Sequence, residues 1–216
     1  MLELVVAHYT EDLSWLRTLP RNIRQTVYSK NHELLLPNTQ LLPNVGREAH
    51  TYLTHFVSHY HALSEWTICC QGKPFDHAYD FKKWLKSVAA GHTVPQPFDW
   101  RGHIVDTDDQ QGGLLFKNWS KNEDGRGLDL DQFHTALFGT PGPAFYTFVL
   151  GAQFAVHRSV VHERPLAFYE RALAISIDFV DAAHCYERNW NRVFGVDFAL
   201  PNGQRTAYLK PIKAQL

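Results

Sequence analysis

The sequence predicts a three-layer α/β fold, in which a mostly parallel sheet carries helices on both faces and residues 1–216 form a single domain. Short apolar runs alternate with amphipathic segments through the first half of the chain, which is the order of strands and crossover helices. The first run, residues 2–7, has the apolar character of a strand that is buried on both faces. A chain of 216 residues, 44% of them apolar, is long enough to bury one core of ordinary proportions.

The first half of the chain is expected to alternate strictly between strands and helices. Strands are predicted over residues 2–7, 23–29 and 66–70, and helices over residues 11–19, 46–63 and 76–89. Pro20 ends the first helix, Asn44 is the expected N-cap of the second, and Gly91 closes the third. Because strands joined by helices form right-handed crossovers, we expect these three strands to run parallel.

The second half begins with a weak pattern. Residues 92–127 contain two prolines and several glycines, and they are expected to form an irregular insertion or a lid loop. After them we predict a helix over residues 128–138, a buried strand within 144–156, helices over 165–176 and 178–194, and a short edge strand near 206–209.

Composition limits the classes of partner and the compartment. The formal net charge of −1 gives no bulk field that would attract nucleic acid or an acidic membrane. No apolar run is long enough for a transmembrane segment, and residues 1–7 lack the basic start of a signal peptide. The three cysteines have neither disulfide nor zinc spacing, so we expect reduced thiols and an intracellular, cytoplasmic protein. The glycine motifs of dinucleotide-binding and P-loop enzymes are absent.

Three polar residues follow the apolar run 66–70, namely Lys73, Asp76 and His77. Ligands of open α/β sheets bind at the carboxyl ends of strands, so this position predicts a site for a phosphate or for a metal–phosphate pair. Asp76 and His77 are candidate ligands for a divalent metal such as Mn²⁺ or Mg²⁺. The alternative is that Asp76 caps the helix that follows.

Further candidates lie near the starts of the first two predicted helices. His8 and Glu11 follow the first strand, and Arg47 opens the helix that contains His50. Free N–H groups at a helix start, together with a guanidinium, form an anion site. The alternatives are a surface ion pair of Arg47 with a neighbouring glutamate and, for the histidines of the second helix, a solvated polar flank.

The second half supplies the remaining candidates. Glu187 is a candidate general base for a hydroxyl group, and Trp190 in the same helix is a candidate for substrate binding. His157 and Arg158 end an apolar strand and are candidates for positioning an acceptor or for balancing the charge of a leaving group. The alternatives are an ordinary ion pair of Glu187 on the helix, packing with helix capping for His157 and Arg158, and a place in the core for the aromatic Trp190.

Several blocks together resemble a known family. They are residues 5–16, 42–53, 71–77, 154–158 with 164–169, and 187–190 with 194–195. This pattern resembles the family catalogued as domain of unknown function 3431. Its layout is similar to that of small GT-A type glycosyltransferases, in which the first strand opens the nucleotide site, an acidic motif meets metal and diphosphate, and a later strand borders the acceptor.

The resemblance implies transfer of a sugar from a nucleotide-activated donor to a small-molecule or glycan acceptor. Lys73 and Arg47 would hold the diphosphate, Asp76 and His77 the metal or the sugar, and Glu187 would be the base. The usual Asp-x-Asp motif is replaced by Asp76-His77 at the expected place, whereas residues 106–108 match Asp-x-Asp as a string within an acidic loop.

Two other classes of function stay open at this point. One is a metal-dependent hydrolase or small-molecule tailoring enzyme that uses His8, His50, Asp76 and His77. The other is a non-catalytic carbohydrate-binding protein. The oligomeric state does not follow from the sequence.

Overall fold

A computed structural model describes residues 1–33, 39–200 and 203–209. The strands are β1 (Leu2–His8), β2 (Ile23–Ser29), β3 (Thr39–Leu41), β4 (Trp66–Gln71), β5 (Phe98–Trp100), β6 (Ile104–Asp109), β7 (Phe145–Val149), β8 (Phe154–His157) and β9 (Ala207–Tyr208). The helices are α1 (Arg47–His59), α2 (Phe81–Ala89), α3 (Leu130–Phe138), α4 (Arg158–Val161), α5 (Leu166–Asp178), α6 (Ala182–Glu187) and α7 (Trp190–Val193).

Six strands form the central sheet, in the order β3-β2-β1-β4-β8-β5. The first four are parallel to one another, and β8 lies antiparallel between β4 and β5. Five strands therefore run in one direction and β8 runs in the other. A second, antiparallel sheet has the order β7-β6-β9.

Helices cover both faces of the central sheet. Val5 of β1 packs in one hydrophobic cluster with α1, α5 and the helices near the carboxyl terminus of the described chain. Leu4 and Val6 point the other way, into a cluster with Trp15 and the apolar side of α2. This alternation is what a strand between two helical layers requires. The expected α/β fold with a mostly parallel sheet is confirmed.

Some predicted helices begin or end elsewhere. In place of a helix over residues 11–19 there is a 3₁₀ helix, Ser14–Thr18, because the Asp12 carboxylate accepts hydrogen bonds from both the amide and the hydroxyl of Ser14. The helix predicted over 46–63 ends at His59 and continues as a 3₁₀ turn, and Gly46 rather than Asn44 precedes its first residue. The helix predicted over 76–89 starts at Phe81.

The second half departs further from the expectation. The single strand predicted within 144–156 is two strands in different sheets, β7 and β8, because the backbone turns at Gly151 and Ala152, both with positive φ. The segment 92–127 contains β5 and β6, so it is less irregular than expected. The helix predicted over 178–194 is replaced by α6 and α7, and the edge strand near 206–209 is present as β9. Within the three described ranges, no helix has both the length and the apolarity needed to cross a bilayer.

Candidate functional site

The candidate site lies where the chain changes direction across the central sheet. From β1 the chain adds β2 on one side, whereas β4 pairs with β1 on the other side. Crevices at the carboxyl ends of such neighbouring strands are the usual ligand sites of open α/β sheets. Here those ends are His8 and Gln71, and two adjoining cavities open beside them.

The two cavities differ in chemistry. The first, here called the polar lobe, has a volume of about 300 Å³ and is lined by Ala7, His8, Tyr9, Glu11, Lys30, Asn44, Arg47, Glu48, Thr51 and Gln71. The second, here called the aromatic lobe, has a volume of about 180 Å³ and is lined by Arg47, Glu48, Gln71, His77, Leu115, Phe116, Trp119, Leu150, Gly151, His184, Glu187 and Arg188. Arg47, Glu48 and Gln71 line both lobes, so they form the wall that the two share.

The end of β1 supplies one side of the polar lobe. His8 is buried, with Nδ1 3.0 Å from the Ser29 hydroxyl oxygen and Nε2 3.2 Å from the Glu11 carbonyl oxygen. Because a carbonyl oxygen only accepts, Nε2 donates there, and in a neutral His8 the Nδ1 atom accepts from Ser29. The Glu11 carboxylate accepts hydrogen bonds from the amides of Tyr9 and Thr10, which fixes the loop after β1.

Lys30 follows β2 and supports the opposite side of the polar lobe. Its Nζ donates to the carbonyl oxygens of Val45 and Arg47, so it ties the end of β2 to the loop that starts α1. Burial lowers the pKa of Lys30 to about 8, and the charge of Glu48 offsets part of that effect. Lys30 is not among the residues predicted from the sequence, although a lysine directly after a predicted strand was a usable signal.

Arg47 begins α1 in a strained conformation. Both Gly46 and Arg47 have left-handed backbones, with φ of 57° and 46°. The Arg47 side chain is 60% exposed, and its Nη1 donates to Nε2 of His184 at 3.2 Å. Since a guanidinium only donates, His184 must carry its proton on Nδ1, which lies 4.0 Å from Oε2 of Glu187. Arg47 is thus connected to the acidic side of the aromatic lobe.

The aromatic lobe is built by two segments that Asp108 joins. Asp108 is fully buried and accepts hydrogen bonds from the amides of residues 114, 115 and 116, which positions Phe116 and the turn before Trp119. Its Oδ2 also lies 2.8 Å from Nη2 of Arg188, at the end of α6. Asp108, the second aspartate of the Asp-x-Asp string, therefore holds the two segments of the lobe together.

Two glutamates face the aromatic lobe from different elements. The amide of Gly151 donates to Oε1 of Glu187 at 2.7 Å, and Nη1 of Arg188 lies 3.8 Å from Oε2. Glu48, in the first turn of α1, has only 12% of its side chain exposed. Burial raises the pKa of Glu48, the charge of Glu187 adds to that rise, and Arg47 and the Gln71 side chain oppose it.

The structure brings together some of the residues that the sequence predicted. His8, Glu11 and Arg47 line the polar lobe, and Glu187 and His77 line the aromatic lobe.

His77 and Asp76 also line a separate cavity of about 80 Å³. Asp76 itself is exposed and pairs with Lys73 at 3.1 Å, so these two charges meet each other at the surface.

Other predicted residues lie apart from the two lobes. His157 ends β8 and accepts a hydrogen bond from the Ser159 amide, so it caps α4. Because β8 is antiparallel, His157 and the exposed Arg158 sit beside Trp66, at the amino end of β4 and on the opposite rim of the sheet.

Trp190 is fully buried in the core. His50 is buried in α1, and burial lowers its pKa to about 4, with the charge of Lys30 adding to that effect.

The described residues do not form a set of ligands that fits the predicted metal. Within residues 1–33, 39–200 and 203–209, no three or more His, Cys, Asp or Glu side chains come close enough together to hold an ion. Mn²⁺ and Mg²⁺ prefer several oxygen ligands, whereas the Asp76–His77 pair offers one carboxylate and one imidazole. That carboxylate is already paired with Lys73.

Among the comparisons with known proteins, one family model matches the first part of the chain. A family model described as protein of unknown function (DUF3431) matches residues 4–94. No curated protein matches the chain. The matched stretch contains the sequence blocks 5–16, 42–53 and 71–77, and it includes every residue that lines the polar lobe. The chain is therefore similar to this family over the strands and the helix that form that lobe.

Proposed function

We propose that the protein is a glycosyltransferase-like enzyme, which binds a nucleotide-activated sugar and transfers the sugar to a small-molecule or glycan acceptor. The observation that carries this proposal is the two-lobed cavity at the carboxyl ends of β1 and β4. Its two lobes together fall in the range of about 300–1,000 Å³ that is usual for small-molecule sites.

The polar lobe suits the diphosphate of such a donor. The exposed Arg47 guanidinium can form paired hydrogen bonds with phosphate oxygens. The start of α1 adds backbone N–H groups and the positive end of a helix dipole. Lys30 contributes a second positive charge from the end of β2. Since Glu11 already accepts two backbone hydrogen bonds, part of its negative charge is neutralised there.

The aromatic lobe suits a sugar ring. Trp119 is 37% exposed, and Phe116 lies beside it, so the lobe offers ring faces against which the C–H groups of a sugar can pack. His77, Glu187 and Arg188 add hydrogen-bonding groups around these rings. In such a lobe the aromatic faces contact the C–H groups of the sugar ring, and the polar groups at the rim bind its hydroxyl groups and fix its orientation.

The main catalytic contribution in this proposal is electrostatic. When the bond between the sugar and the diphosphate breaks, negative charge develops on the departing phosphate oxygen. Arg47 and Lys30 are fixed in place before the reaction, so they stabilise that charge without reorganisation. Glu187 is the sequence-predicted general base for the acceptor, and Glu48 is a second carboxylate in the same lobe.

Calorimetric titration tests the proposal directly. Nucleoside diphosphates and sugar nucleotides should bind the wild-type protein, and each titration is run with and without Mn²⁺. Arg47→Ala should weaken binding of the nucleoside diphosphate about tenfold or more, because a charged hydrogen bond to phosphate is lost. Arg158→Ala is the matched control, since it removes an exposed arginine from the opposite rim of the sheet.

The contrary outcomes are specific. Failure of every nucleotide to bind, with or without Mn²⁺, contradicts the proposal. Binding of free sugars but not of nucleotides favours a carbohydrate-binding protein without catalysis. Equal losses in Arg47→Ala and Arg158→Ala would place the nucleotide elsewhere on the molecule.

A further inference from the structure

Glu48 occupies a position that no other carboxylate shares among the residues lining the two lobes. It belongs to the wall between them and lines both cavities. Glu11 lines only the polar lobe, and Glu187 lines only the aromatic lobe. A group that moves a proton while a sugar passes from donor to acceptor must reach the point where the two molecules meet. Glu48 is the carboxylate at that point.

The surroundings of Glu48 favour proton uptake. The charged groups that face it are Arg47 from its own helix, Lys30 from the end of β2 and Glu187 from α6, and the Gln71 side chain of β4 is a hydrogen-bond partner. The side chain is 12% exposed, and burial raises its pKa. A carboxylate whose pKa lies closer to neutral pH is a stronger general base than an ordinary surface glutamate.

Glu187 is held by a backbone amide and a guanidinium. One of its oxygens accepts the Gly151 amide hydrogen at 2.7 Å, and the other faces Arg188 at 3.8 Å. These contacts hold the Glu187 carboxylate in one orientation. When two neighbouring carboxylates lie in different environments, one can transfer protons while the other has a different role.

We infer that Glu48 is the general base that takes the proton from the acceptor hydroxyl, with Glu187 positioning that acceptor; this rests on the proposed function. In the step, the bond from the sugar C1 to the diphosphate oxygen breaks, and its electron pair stays on that oxygen. The acceptor oxygen forms the new bond to C1, and its proton passes to the Glu48 carboxylate. Glu48 then returns the proton to water when product leaves.

The experiment compares Glu48→Gln with Glu187→Gln. Transfer is followed as release of nucleoside diphosphate from a panel of sugar nucleotides with acceptor sugars. Glu48→Gln should still bind nucleoside diphosphate, but turnover should fall about 10²–10⁴-fold and the acid limb of the pH–rate profile should disappear. Glu187→Gln should turn over more slowly than wild type and keep the acid limb. Glu48→Asp should recover part of the rate together with the acid limb.

A second measurement does not depend on turnover. At a pH within the acid limb, where Glu48 is partly protonated before the ligand arrives, binding of an anionic nucleoside diphosphate beside it should be accompanied by proton uptake, which is measured by titration calorimetry in buffers with different ionisation enthalpies. Wild type and Glu187→Gln should take up protons, and Glu48→Gln should take up fewer. This comparison of proton uptake tests the role of Glu48 even if the enzyme transfers sugar to no acceptor in the panel.

The outcomes separate the two proposals. If no nucleotide binds to the wild-type protein, the proposed function is wrong and the role of Glu48 is overturned with it. If nucleotides bind and Glu48→Gln keeps its turnover and acid limb, only the role of Glu48 is overturned. Loss of the acid limb in Glu187→Gln alone assigns the base to Glu187 instead.

Discussion

Asp108 is the residue that connects the aromatic lobe to the rest of the molecule. It is fully buried, and its carboxylate accepts hydrogen bonds from three consecutive amides and from the guanidinium of Arg188. Arg188 is itself only 2% exposed. A buried ion pair is stable only when both partners are present, because neither charge has water to solvate it.

Asp108→Ala should therefore be strongly destabilising. It leaves Arg188 buried without its carboxylate and removes the acceptor of four amides, those of residues 109 and 114–116, so we expect a loss of about 3–5 kcal/mol in the free energy of unfolding. Urea denaturation measures this loss. Asp124→Ala is the control, because Asp124 pairs with Arg126 at the surface, where we expect little change. Similar losses in the two variants would show that Asp108 is not a structural centre.

Some residues of the site can be predicted from the sequence, and others cannot. His8, Glu11 and Arg47 could be predicted, since each follows a strand end or opens a helix. Glu48 was missed because, next to Arg47, it has the pattern of an ordinary surface ion pair, and only the folded structure buries it.

In the sequence, Asp108 is distinguished only as part of a short acidic string. Its role becomes visible only when the amides of residues 114–116 fold onto its carboxylate. Trp190 could not be assigned either, because aromatic residues in a helix serve equally as core and as stacking surface.

At the level of the element, the start of α1 sets the orientation of Arg47 and Glu48. A Cβ atom on Gly46 would lie 2.3 Å from the carbonyl oxygen of Ser176 and 2.8 Å from Cβ of His50. The residue also has a positive φ, which favours glycine. Arg47, the next residue, has a positive φ without being glycine, and strained backbone of this kind persists only where its surroundings hold it and clusters at functional sites.

Gly46→Ala should thus cost more than the same change at a helix end with free space. Gly139 is the matched control, since it has φ of +77° and a Cβ atom added there would meet no heavy atom within 4 Å. Gly139→Ala should cost about 1–2 kcal/mol from the left-handed backbone alone. Gly46→Ala should exceed this value, because a backbone oxygen cannot rotate away, and it alone should weaken binding of nucleoside diphosphate. Urea denaturation and calorimetry give the two readouts, and equal costs would contradict the steric argument.

The elements differ in how much of them the sequence predicted. The strands β1 and β4 can be predicted because each is a short, mostly apolar run between turn residues, and β2 can be predicted from its β-branched and aromatic residues 26–28. The run 144–156 predicts one strand, because an apolar pattern does not show that Gly151 and Ala152 turn the chain between two sheets. The helix predicted over 178–194 was interrupted at Asp181, whose left-handed backbone starts α6.

At the scale of the whole molecule, strand direction decides which predicted residues can meet. The parallel strands β1, β2 and β4 bring His8, Lys30 and Gln71 to one rim of the sheet. The antiparallel β8 carries His157 and Arg158 to the other rim. Direction depends on how the chain crosses between strands, and a single apolar run contains no signal for it. The expected meeting of candidate residues at one rim therefore holds for His8, Glu11 and Arg47, whereas Lys73 and Asp76 pair with each other at the surface and the end of β8 lies on the other rim.

The buried histidines make the whole fold sensitive to acid. Burial lowers the pKa of His50 and of His184 to about 4, and it also lowers that of His134. In the unfolded chain these side chains have a pKa of about 6.5. Between these values the unfolded state binds more protons than the folded state, so stability should fall as the pH drops from about 6.5 towards 4. The raised pKa of Glu48 acts in the opposite sense, but it is one group against several histidines.

Urea denaturation across this range tests the expectation. The midpoint of unfolding should decrease from pH 7 to pH 4.5, and each such histidine should contribute a slope of up to about 1.4 kcal/mol per pH unit. His50→Asn should reduce the slope, because it removes a group that must be neutral in the folded state. His61→Asn replaces an exposed histidine and should leave the slope as it is. A midpoint that stays constant from pH 7 to pH 4.5, or a slope that His50→Asn does not change, would show that burial of these imidazoles does not govern the acid response.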